Sequence, residues 1–283
     1  MIKIRRGMDI PISGAPEQTI DTPAATRTVA LVGPDYVGMK PTMEVAEGDI
    51  VQCGQRVFTD KKTDGVVYTA PASGKVVAIN RGARRVFQSL VIEVDDSIEP
   101  VSFRQHSAAE ARALDAAAIR EQIVNSGLWT ALRTRPYSKV PSPSTDPAGL
   151  FITAIDTRPL AADPALIIAE QGDAFALGQD VLAAMVNCPV YVCSAPNAQL
   201  PVGSHPRLQH ETFAGPHPAG LPGTHIHHLM GASTQKVAWH IGYQDVIAIG
   251  RLFLDGVLYT PRVIALAGPQ VEKPRLLRAR LGA

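Results

Sequence analysis

A stretch near the middle of the chain, from Ser126 to Pro143, combines aromatic and basic side chains. Within eleven residues it carries Trp129, Arg133, Arg135, Tyr137 and Lys139. Ligand slots are mostly apolar and aromatic, with a few polar groups that fix the ligand's orientation. Side chains of these types could therefore bind a flat ligand that carries hydrogen-bond acceptors. Three prolines keep each preceding residue out of the helical region, so we predict an ordered loop here.

The loop lies between a helical pattern and a buried-strand pattern, a position at which α/β domains often bind a ligand. Loops that cradle a phosphate at such a position are usually rich in glycine, because glycine lets backbone N–H groups approach the phosphate. Here the positions after Gly127 carry Trp129, Thr130, Leu132 and Arg133. The sequence therefore predicts a loop in the place of a cofactor loop, but without its glycines.

A second candidate for chemistry is the lysine pair Lys61 and Lys62, in a predicted turn. The surrounding segments, VAEGDIVQCGQRVF and TAPASGKVVAINRG, resemble the barrel-sandwich hybrid of biotinyl and lipoyl carriers, in which a lysine at a hairpin tip takes the prosthetic group. The two lysines lie seven and eight residues after Gly54, closer than in lipoyl carriers, and the Met-Lys-Met of biotin carriers is missing. Solvated turn lysines are the favoured interpretation, with modification as the alternative.

Histidines are concentrated in one region, since seven of the eight lie between His205 and His240. His225, His227 and His228 resemble metal ligands at first sight. Two ligands on one helix face need a spacing of three or four, whereas this stretch offers two and three. Acidic residues are scarce around it and cysteine is absent from it. We favour structural hydrogen bonding by these histidines over a metal site.

Composition limits the class of protein. The chain has 283 residues, 46% of them apolar and 19% charged, and a net charge of +1. This length predicts roughly two domains with real cores, and the charge provides no field that would attract nucleic acid. The three cysteines form neither a disulfide framework nor a strong metal pattern, which is typical of a reducing compartment. We expect no signal peptide and no membrane helix, so work at a membrane would depend on partners.

The order of patterns divides the chain into four parts. We predict an N-terminal arm over residues 1–28, a β-rich module over 29–101, an α/β domain over 102–256 and the start of a further β domain over 257–283. Ile10, Pro11 and Ile12 favour an arm that docks, either on a partner or on the chain's own body. The last part has no room for a core, so we expect a truncated chain.

Alternating helical and strand patterns in the third part predict parallel strands. We predict helices over residues 107–125, 164–186 and most of 239–253, strands over 150–155 and 189–193, and a long loop over 205–231. Ser107 and Glu110 have the spacing of a capping box. Gly172 and Gly178 allow a break in the second helix, and Gly242 and Gly250 indicate tight packing or helix ends.

Several long segments resemble one family. They are DIPISGAPEQ, LVGPDYVGMKPTMEVAEGD, SGLWTALRTRPYSKVP, GLPGTHIHHLM, WHIGYQDVIAIGRLF and TPRVIALAGPQVEKPRLLR. All are similar to the A subunit of the bacterial sodium-translocating NADH:quinone reductase, from the arm to Ala283. Members of this family continue through the rest of a ubiquitin-like β domain and a C-terminal region, which agrees with the expected truncation.

The resemblance implies an architecture similar to the flavin-binding subunit of respiratory complex I and to the C subunit of the Rnf complex. A glycine loop after Ser-Gly-Leu cradles the FMN phosphate in that flavin-binding protein. Here residues 126–128 match the lead-in, but TALRTRPYS replaces the glycines, and DTRPLAADP replaces the acidic segment that serves flavin and nucleotide. The resemblance thus implies a fold retained without FMN or NADH. Three scattered cysteines also cannot supply a Cys₄ iron–sulfur site.

The function that the resemblance implies is that of an accessory, peripheral subunit on the cytoplasmic face of the bacterial inner membrane. The complex would couple NADH oxidation and quinone reduction to sodium export. This chain would scaffold integral membrane subunits without being catalytic itself, and would bind no cofactor or metal, while its partners carry flavins, iron centres and NADH. The alternative is a ubiquinone-binding subunit. Its slot would combine the loop residues Trp129, Arg133, Arg135, Tyr137 and Lys139 with a second wall of Tyr36, Met39 and Lys40.

Overall fold

The computed structural model describes residues 1–22 and 25–283. The arm contains the strands β1 (Ile2–Lys3) and β2 (Glu17–Asp21), and each joins a sheet formed by distant parts of the chain. The arm therefore docks on the chain's own body. Ile10 and Ile12, which motivated the docking prediction, remain 53% and 42% exposed. Backbone pairing, rather than burial of these two side chains, holds the arm in place.

Within the described residues 25–101, the β module folds as a pair of sheets. Its strands are β3 (Thr28–Val32), β4 (Pro41–Met43), β5 (Ile50–Val51), β6 (Arg56–Asp60), β7 (Val67–Thr69), β8 (Gly74–Arg81) and β9 (Phe87–Val94). The sheets have the orders β3-β9-β8-β5 and β4-β6-β7, with antiparallel neighbours. The sheets share an apolar core that includes Val57, Phe58 and Leu90. Positive φ angles at Gly48 and Gly54 let the chain turn sharply between the short strands.

The predicted helix over 107–125 is two helices, α1 (Ala108–Ala113) and α2 (Ala116–Asn125). The capping box is present, because the Ser107 hydroxyl accepts from the Glu110 N–H and the Glu110 carboxylate accepts from the Ser107 N–H. The single-helix prediction was wrong at Leu114, which is extended. Asp115 caps α2 by accepting from the Ala118 N–H at 2.8 Å.

The α/β domain is built around a mostly parallel sheet. Its remaining elements are β10 (Arg133–Arg135), β11 (Gly149–Ala154), α3 (Pro164–Ala169), α4 (Gly172–Met185), β12 (Val190–Ser194), β13 (Leu208–Ala214), α5 (Pro222–Leu229), β14 (Ala238–Gly242) and α6 (Tyr243–Asp255). The sheet order is β1-β13-β12-β11-β14-β10. The predicted parallel pairing is confirmed for β11 with β12 and β14, and for β12 with β13.

Other assignments needed correction. Residues 239–242 belong to β14 and are not the beginning of a helix, because this strand pairs with β11 on one side and β10 on the other. The helix over 164–186 breaks before Gly172, as its glycine allowed. The supposed loop over 205–231 contains β13 and α5. The loop from residue 126 to 143 includes a 3₁₀ turn over Leu128–Ala131 and the strand β10.

Helices α4 and α6 pack on each other at unusually short range. A Cβ atom at Gly178 would lie 2.2 Å from the Val246 carbonyl oxygen, and one at Gly250 would lie 1.9 Å from the Ala174 carbonyl oxygen. The tight packing predicted at Gly250 is therefore confirmed. These two glycines bring the backbones together and fix where α6 begins relative to the sheet.

After α6, the chain forms β15 (Pro261–Leu266) and β16 (Arg275–Arg280). These strands pair antiparallel, and β16 also pairs with β2 of the arm in a parallel register with a bulge. Behind them, Leu281 donates its N–H to the Thr260 carbonyl. The arm and the last strands thus form one sheet, in the order β15-β16-β2.

Candidate functional site

The sheet order has a switch point between β11 and β14. From β11 the chain adds β12 and β13 on one side, and then returns to place β14 on the other. In open α/β sheets, the connections after the carboxyl ends of strands diverge at such a point and leave a crevice that often binds a ligand. The residues that follow β11 and β14 are therefore the first place to look for a site.

A cavity of about 310 Å³ adjoins this point, where the β module, the 126–133 segment, α6 and the last residues of the chain meet. It is lined by Leu31, Tyr36, Tyr68, Thr69, Pro71, Ser126, Gly127, Leu128, Thr130, Ala131, Arg133, His240, Gly242, Asp245, Leu258, Arg262 and Leu281. We call this the junction cavity. Its wall mixes apolar side chains with tyrosines, arginines and a histidine, which is the composition of a site for a ring with polar substituents.

Two residues that line the junction cavity each carry a buried polar atom without a hydrogen-bond partner among the described residues, the hydroxyl of Tyr68 and Nε2 of His240. Tyr68 is buried, with an exposed fraction of only 1%. Burial, with Asp60 nearby, raises the pKa of Tyr68, so the hydroxyl keeps its proton. Burial and the cations Arg135 and Arg133 lower the pKa of His240 to about 4. At neutral pH both groups are uncharged, and each has hydrogen-bonding capacity that no described residue meets.

The charged groups of the junction cavity are fixed by neighbours. The Arg133 guanidinium lies 5.4 Å from the centre of the Tyr36 ring, in cation–π geometry, and also donates to the Thr130 carbonyl. Arg262 is paired with Asp245 at 2.9 Å. Burial raises the pKa of Tyr36, although Arg133 opposes the shift. The cavity therefore presents one unpaired cation, the guanidinium of Arg133, beside neutral donors within the described residues.

The second part of the crevice lies directly beyond the ends of β11 and β14. This cavity of about 230 Å³ is lined by Thr153, Ile155, Asp156, Arg158, Gly220, Leu221, Pro222, His240, Gly242 and Tyr243. The Thr153 hydroxyl has no partner among the described residues, whereas Arg158 and Asp156 pair at 2.6 Å. Burial raises the pKa of Tyr243 to about 12. Because His240 lines both cavities, it separates the two parts of one crevice.

The structure brings together some of the residues predicted for a ligand slot. Tyr36 and Arg133 line the junction cavity. Met39 and Lys139 line a separate cavity of about 70 Å³, on the other side of Tyr36 and Tyr68. The two cavities share the Tyr36–Tyr68 pair, whose rings meet edge to face at 4.7 Å.

The other predicted slot residues lie outside both cavities. Trp129 has no exposed surface, packs edge to face on Trp239, and donates its indole N–H to the Pro141 carbonyl at 2.8 Å. Its ring belongs to the core and cannot form a slot wall there. Arg135 ends β10, Lys40 is exposed, and Tyr137 is 66% exposed.

Sequence reasoning missed Tyr68, His240 and Arg262. Tyr68 lay within an apolar run, where its hydroxyl gave no signal, and His240 was assigned to a helix. Only the return of β14 to the centre of the sheet places His240 at the switch point. Arg262 lay in a segment whose position relative to the β module was not predictable from local patterns.

The loop that replaces a glycine loop uses its N–H groups internally. Thr130 donates to Gly127, Leu132 to Trp129, and Thr134 to Lys139, at 3.1, 3.1 and 2.8 Å. Leu128, Trp129 and Leu132 are buried in the core. Gly127 is needed for a different reason, because its φ is +81° and an added Cβ would lie 2.3 Å from the Thr69 hydroxyl oxygen.

The structure also locates the histidines considered as metal ligands and the lysines considered as a modification site. His225 is fully buried, Nε2 contacts the Ala219 carbonyl at 2.9 Å, and burial lowers the pKa of His225 to about 4. No group of three or more His, Cys, Asp or Glu that could hold a metal occurs in the described part of the chain. Lys61 and Lys62 are exposed in a turn. Among the helices described, none is long and apolar enough to cross a membrane.

Family models cover most of the chain. Residues 2–95 match the NqrA N-terminal barrel-sandwich hybrid domain, residues 114–258 match the NqrA second alpha/beta domain, and residues 263–283 match the NQRA C-terminal domain. The predicted barrel-sandwich hybrid followed by an α/β domain is therefore confirmed. A solved NAD+-reducing [NiFe]-hydrogenase shares 13% identity with a TM-score of 0.45, over 62% of this chain and 39% of that chain. A likeness this distant supports no inference about function.

Curated relatives align over the whole chain. Proteins named as the A subunit of the Na(+)-translocating NADH-quinone reductase from Alcanivorax borkumensis, Cellvibrio japonicus and Pseudomonas aeruginosa are 54%, 56% and 56% identical to it. The chain spans 63% of the length of each of these relatives. With its barrel-sandwich hybrid, its α/β domain and its last strands each matched by the corresponding family model, this chain belongs to the NqrA family.

Proposed function

We propose that this chain is an accessory subunit of a sodium-translocating NADH:quinone reductase, the complex for which its relatives are named. It lies at the cytoplasmic face of the bacterial inner membrane as a peripheral subunit. It holds and orients partner subunits, chiefly integral membrane ones, and itself transfers neither hydride nor electrons. Flavins, iron centres and the NADH site belong to those partners, and the chain binds none of these groups.

The observation that supports a scaffold role most directly is the state of the loop after Gly127. A phosphate cradle needs several free backbone N–H groups that converge on one point. Here the N–H groups of Thr130, Leu132 and Thr134 donate to carbonyls of the same segment, and the side chains of Leu128, Trp129 and Leu132 are buried beneath it. Binding a flavin phosphate there would require the loop to unfold from the core.

The state of the cysteines supports the same proposal. Burial raises the pKa of Cys53 and Cys188 to about 11 and raises that of Cys193 further. An iron–sulfur cluster needs several cysteines that converge on one point. Cys53 lies in the β module, whereas Cys188 and Cys193 lie in the α/β domain, so these residues do not offer a set of four converging ligands.

The experiment uses membranes from a host in which the gene for this subunit is deleted, with the wild-type gene returned as the control. We expect NADH oxidation with an artificial electron acceptor to persist, while quinone reduction coupled to sodium transport is lost and the remaining subunits no longer copurify as one complex. A visible absorbance spectrum of the purified chain is recorded in parallel. Flavin absorbance, or an intact complex without the subunit, would refute the scaffold role.

A second candidate function is quinone binding, which the junction cavity favours. A quinone ring needs an apolar slot with hydrogen-bond donors for its two carbonyls. In this proposal the donors are the Tyr68 hydroxyl and Nε2 of the neutral His240 imidazole, two atoms that lack partners among the described residues. Leu31, Leu258 and Leu281 supply apolar walls. This slot keeps Tyr36 and Arg133 from the predicted set. It leaves out the other six residues, which are Met39, Lys40, Trp129, Arg135, Tyr137 and Lys139.

Titration with a soluble quinone analogue, followed by quenching of tryptophan fluorescence, tests this candidate. Tyr68→Phe removes one hydroxyl from the slot and should weaken binding about five- to tenfold, as for one hydrogen bond. The matched control is Tyr137→Phe, which makes the same change on an exposed ring. Equal affinity of the two variants would exclude the junction cavity as the quinone slot.

A further inference from the structure

A group of lysines comes together where the β module meets the loop after β10. Lys40 follows the 33–39 segment, Lys61 and Lys62 lie in the turn after β6, and Lys139 lies in the loop after β10. The Lys61 N–H donates to the Lys40 carbonyl at 2.8 Å, and Lys62 and Lys139 line the same small cavity. All four side chains are exposed. We call this surface the lysine tip.

The lysine tip is held in shape by bonds that leave its ammonium groups free. The Asp60 carboxylate accepts from the N–H groups of both Lys40 and Lys62, at 3.0 and 2.9 Å. No lysine among the described residues takes part in an ion pair, because all the ion pairs there are formed by arginines. Exposed Asp35 and Asp64 lie on the same segments. With Asp60, three carboxylates stand against the four lysines, so the tip keeps a small excess of positive charge.

Apolar groups project from the same surface. Tyr137 is 66% exposed and Val37 is 51% exposed. Tyr137 and Ser138 both have positive φ, 78° and 53°, a conformation that is costly for residues other than glycine. Hydrogen bonds hold this turn, since Ser138 donates to the Thr134 carbonyl and Lys139 donates to the Thr134 hydroxyl. The fold thus holds Tyr137 exposed, two residues before Lys139.

We propose that the lysine tip binds the anionic headgroups of a lipid bilayer, with Tyr137 and Val37 entering the interfacial layer. Lysines near an anionic membrane surface add to its attraction one by one, and tyrosine is favoured at the membrane–water interface. A protein partner fits less well, because protein interfaces are depleted in lysine and enriched in arginine. The inference deepens the membrane location proposed above and rests on it.

Co-sedimentation of the purified chain with vesicles tests the proposal. We expect binding to phosphatidylcholine vesicles that contain phosphatidylglycerol, little binding to pure phosphatidylcholine, and loss of binding at high salt. The double variant K61Q/K62Q should partition about 30-fold more weakly, which corresponds to about 1 kcal/mol per lysine. Tyr137→Ser should weaken binding while leaving its salt dependence unchanged.

The matched control is K75Q/K273Q, which removes two exposed lysines outside the tip and should bind as the wild type does. An equal loss of vesicle binding in both double variants would overturn the proposal, because binding would then not depend on where the lysines lie. Binding only to membranes that contain the other subunits would also overturn it, in favour of an acidic protein surface. Copurification of K61Q/K62Q with the other subunits in detergent separates failure of this inference from failure of the scaffold role.

Discussion

The close contact of α4 with α6 makes a sharp prediction for Gly250→Ala. The added Cβ would lie 1.9 Å from the Ala174 carbonyl oxygen, and real Cβ atoms essentially never approach another atom more closely than 3.0 Å. The helices must therefore separate locally by about 1 Å. The opposing atom belongs to helical backbone, so it cannot rotate away as the end of a flexible side chain would.

The expected change in the free energy of unfolding is the balance of two effects. Replacing glycine by alanine within a helix favours the helix by about 1 kcal/mol. Overpacking a well-packed core costs about 1–3 kcal/mol and occasionally more. Because backbone rather than side chain must move here, the upper part of that range applies. We expect Gly250→Ala to lower the free energy of unfolding by about 2 kcal/mol net.

Gly223→Ala is the matched control. It makes the same change in α5, where an added Cβ would meet nothing within 4 Å. That variant should gain about 0.5–1 kcal/mol. Urea unfolding followed by circular dichroism gives both values, provided that the m-values stay equal to that of the wild type. If Gly250→Ala is as stable as Gly223→Ala, the described helix contact is wrong.

Three further predictions concern other parts of the chain. The free energy of unfolding should fall with acidification from about pH 6.5 toward pH 4. Burial lowers the pKa of His225 and His240 to about 4, so in this range the unfolded state binds more protons than the folded state. His225→Phe should flatten the pH profile of the unfolding midpoint, whereas the exposed control His227→Gln should not. Tyr68→Phe should leave the unfolding free energy unchanged or raise it by up to about 1 kcal/mol, because the lost hydroxyl has no partner in the described part of the chain. A clearly lower midpoint of thermal unfolding would mean that this hydroxyl is hydrogen-bonded in the folded chain. Ser107→Ala should lower the free energy of unfolding by about 1 kcal/mol, because the cap of α1 is lost. Amide hydrogen exchange in that helix should become faster, and unchanged exchange there would contradict the cap.

Much of the fold could be predicted from local patterns. The β module, the capping box at Ser107 and the buried strand β11 all follow from residues that are near one another in sequence. The errors lie in segments whose secondary structure depends on pairing with residues far away in the sequence. The local pattern assigns residues 239–242 to a helix because Ile241, Val246, Ile249 and Leu252 have near-helical spacing. Pairing with β10 and β11 makes residues 239–242 a strand instead.

The candidate site was only partly predictable for the same reason. The sequence singled out Tyr36 and Arg133, which meet across about a hundred residues in cation–π contact. It also singled out Trp129, which the fold uses to fill the core. A basic and aromatic composition indicates that a segment is unusual, but the direction of each side chain depends on the packing around it.

The sequence by itself determined the family, the barrel-sandwich hybrid, the α/β domain and the absence of glycines from the loop after Gly127, because these depend on residue identity and short-range periodicity. The tertiary structure decided which residues share a cavity. Tyr68, Arg133, His240 and Arg262 come from separate segments and meet because β14 returns to the centre of the sheet and the α4–α6 contact fixes the start of α6. The free energy of that arrangement comes from long-range packing and strand pairing, which no local pattern encodes.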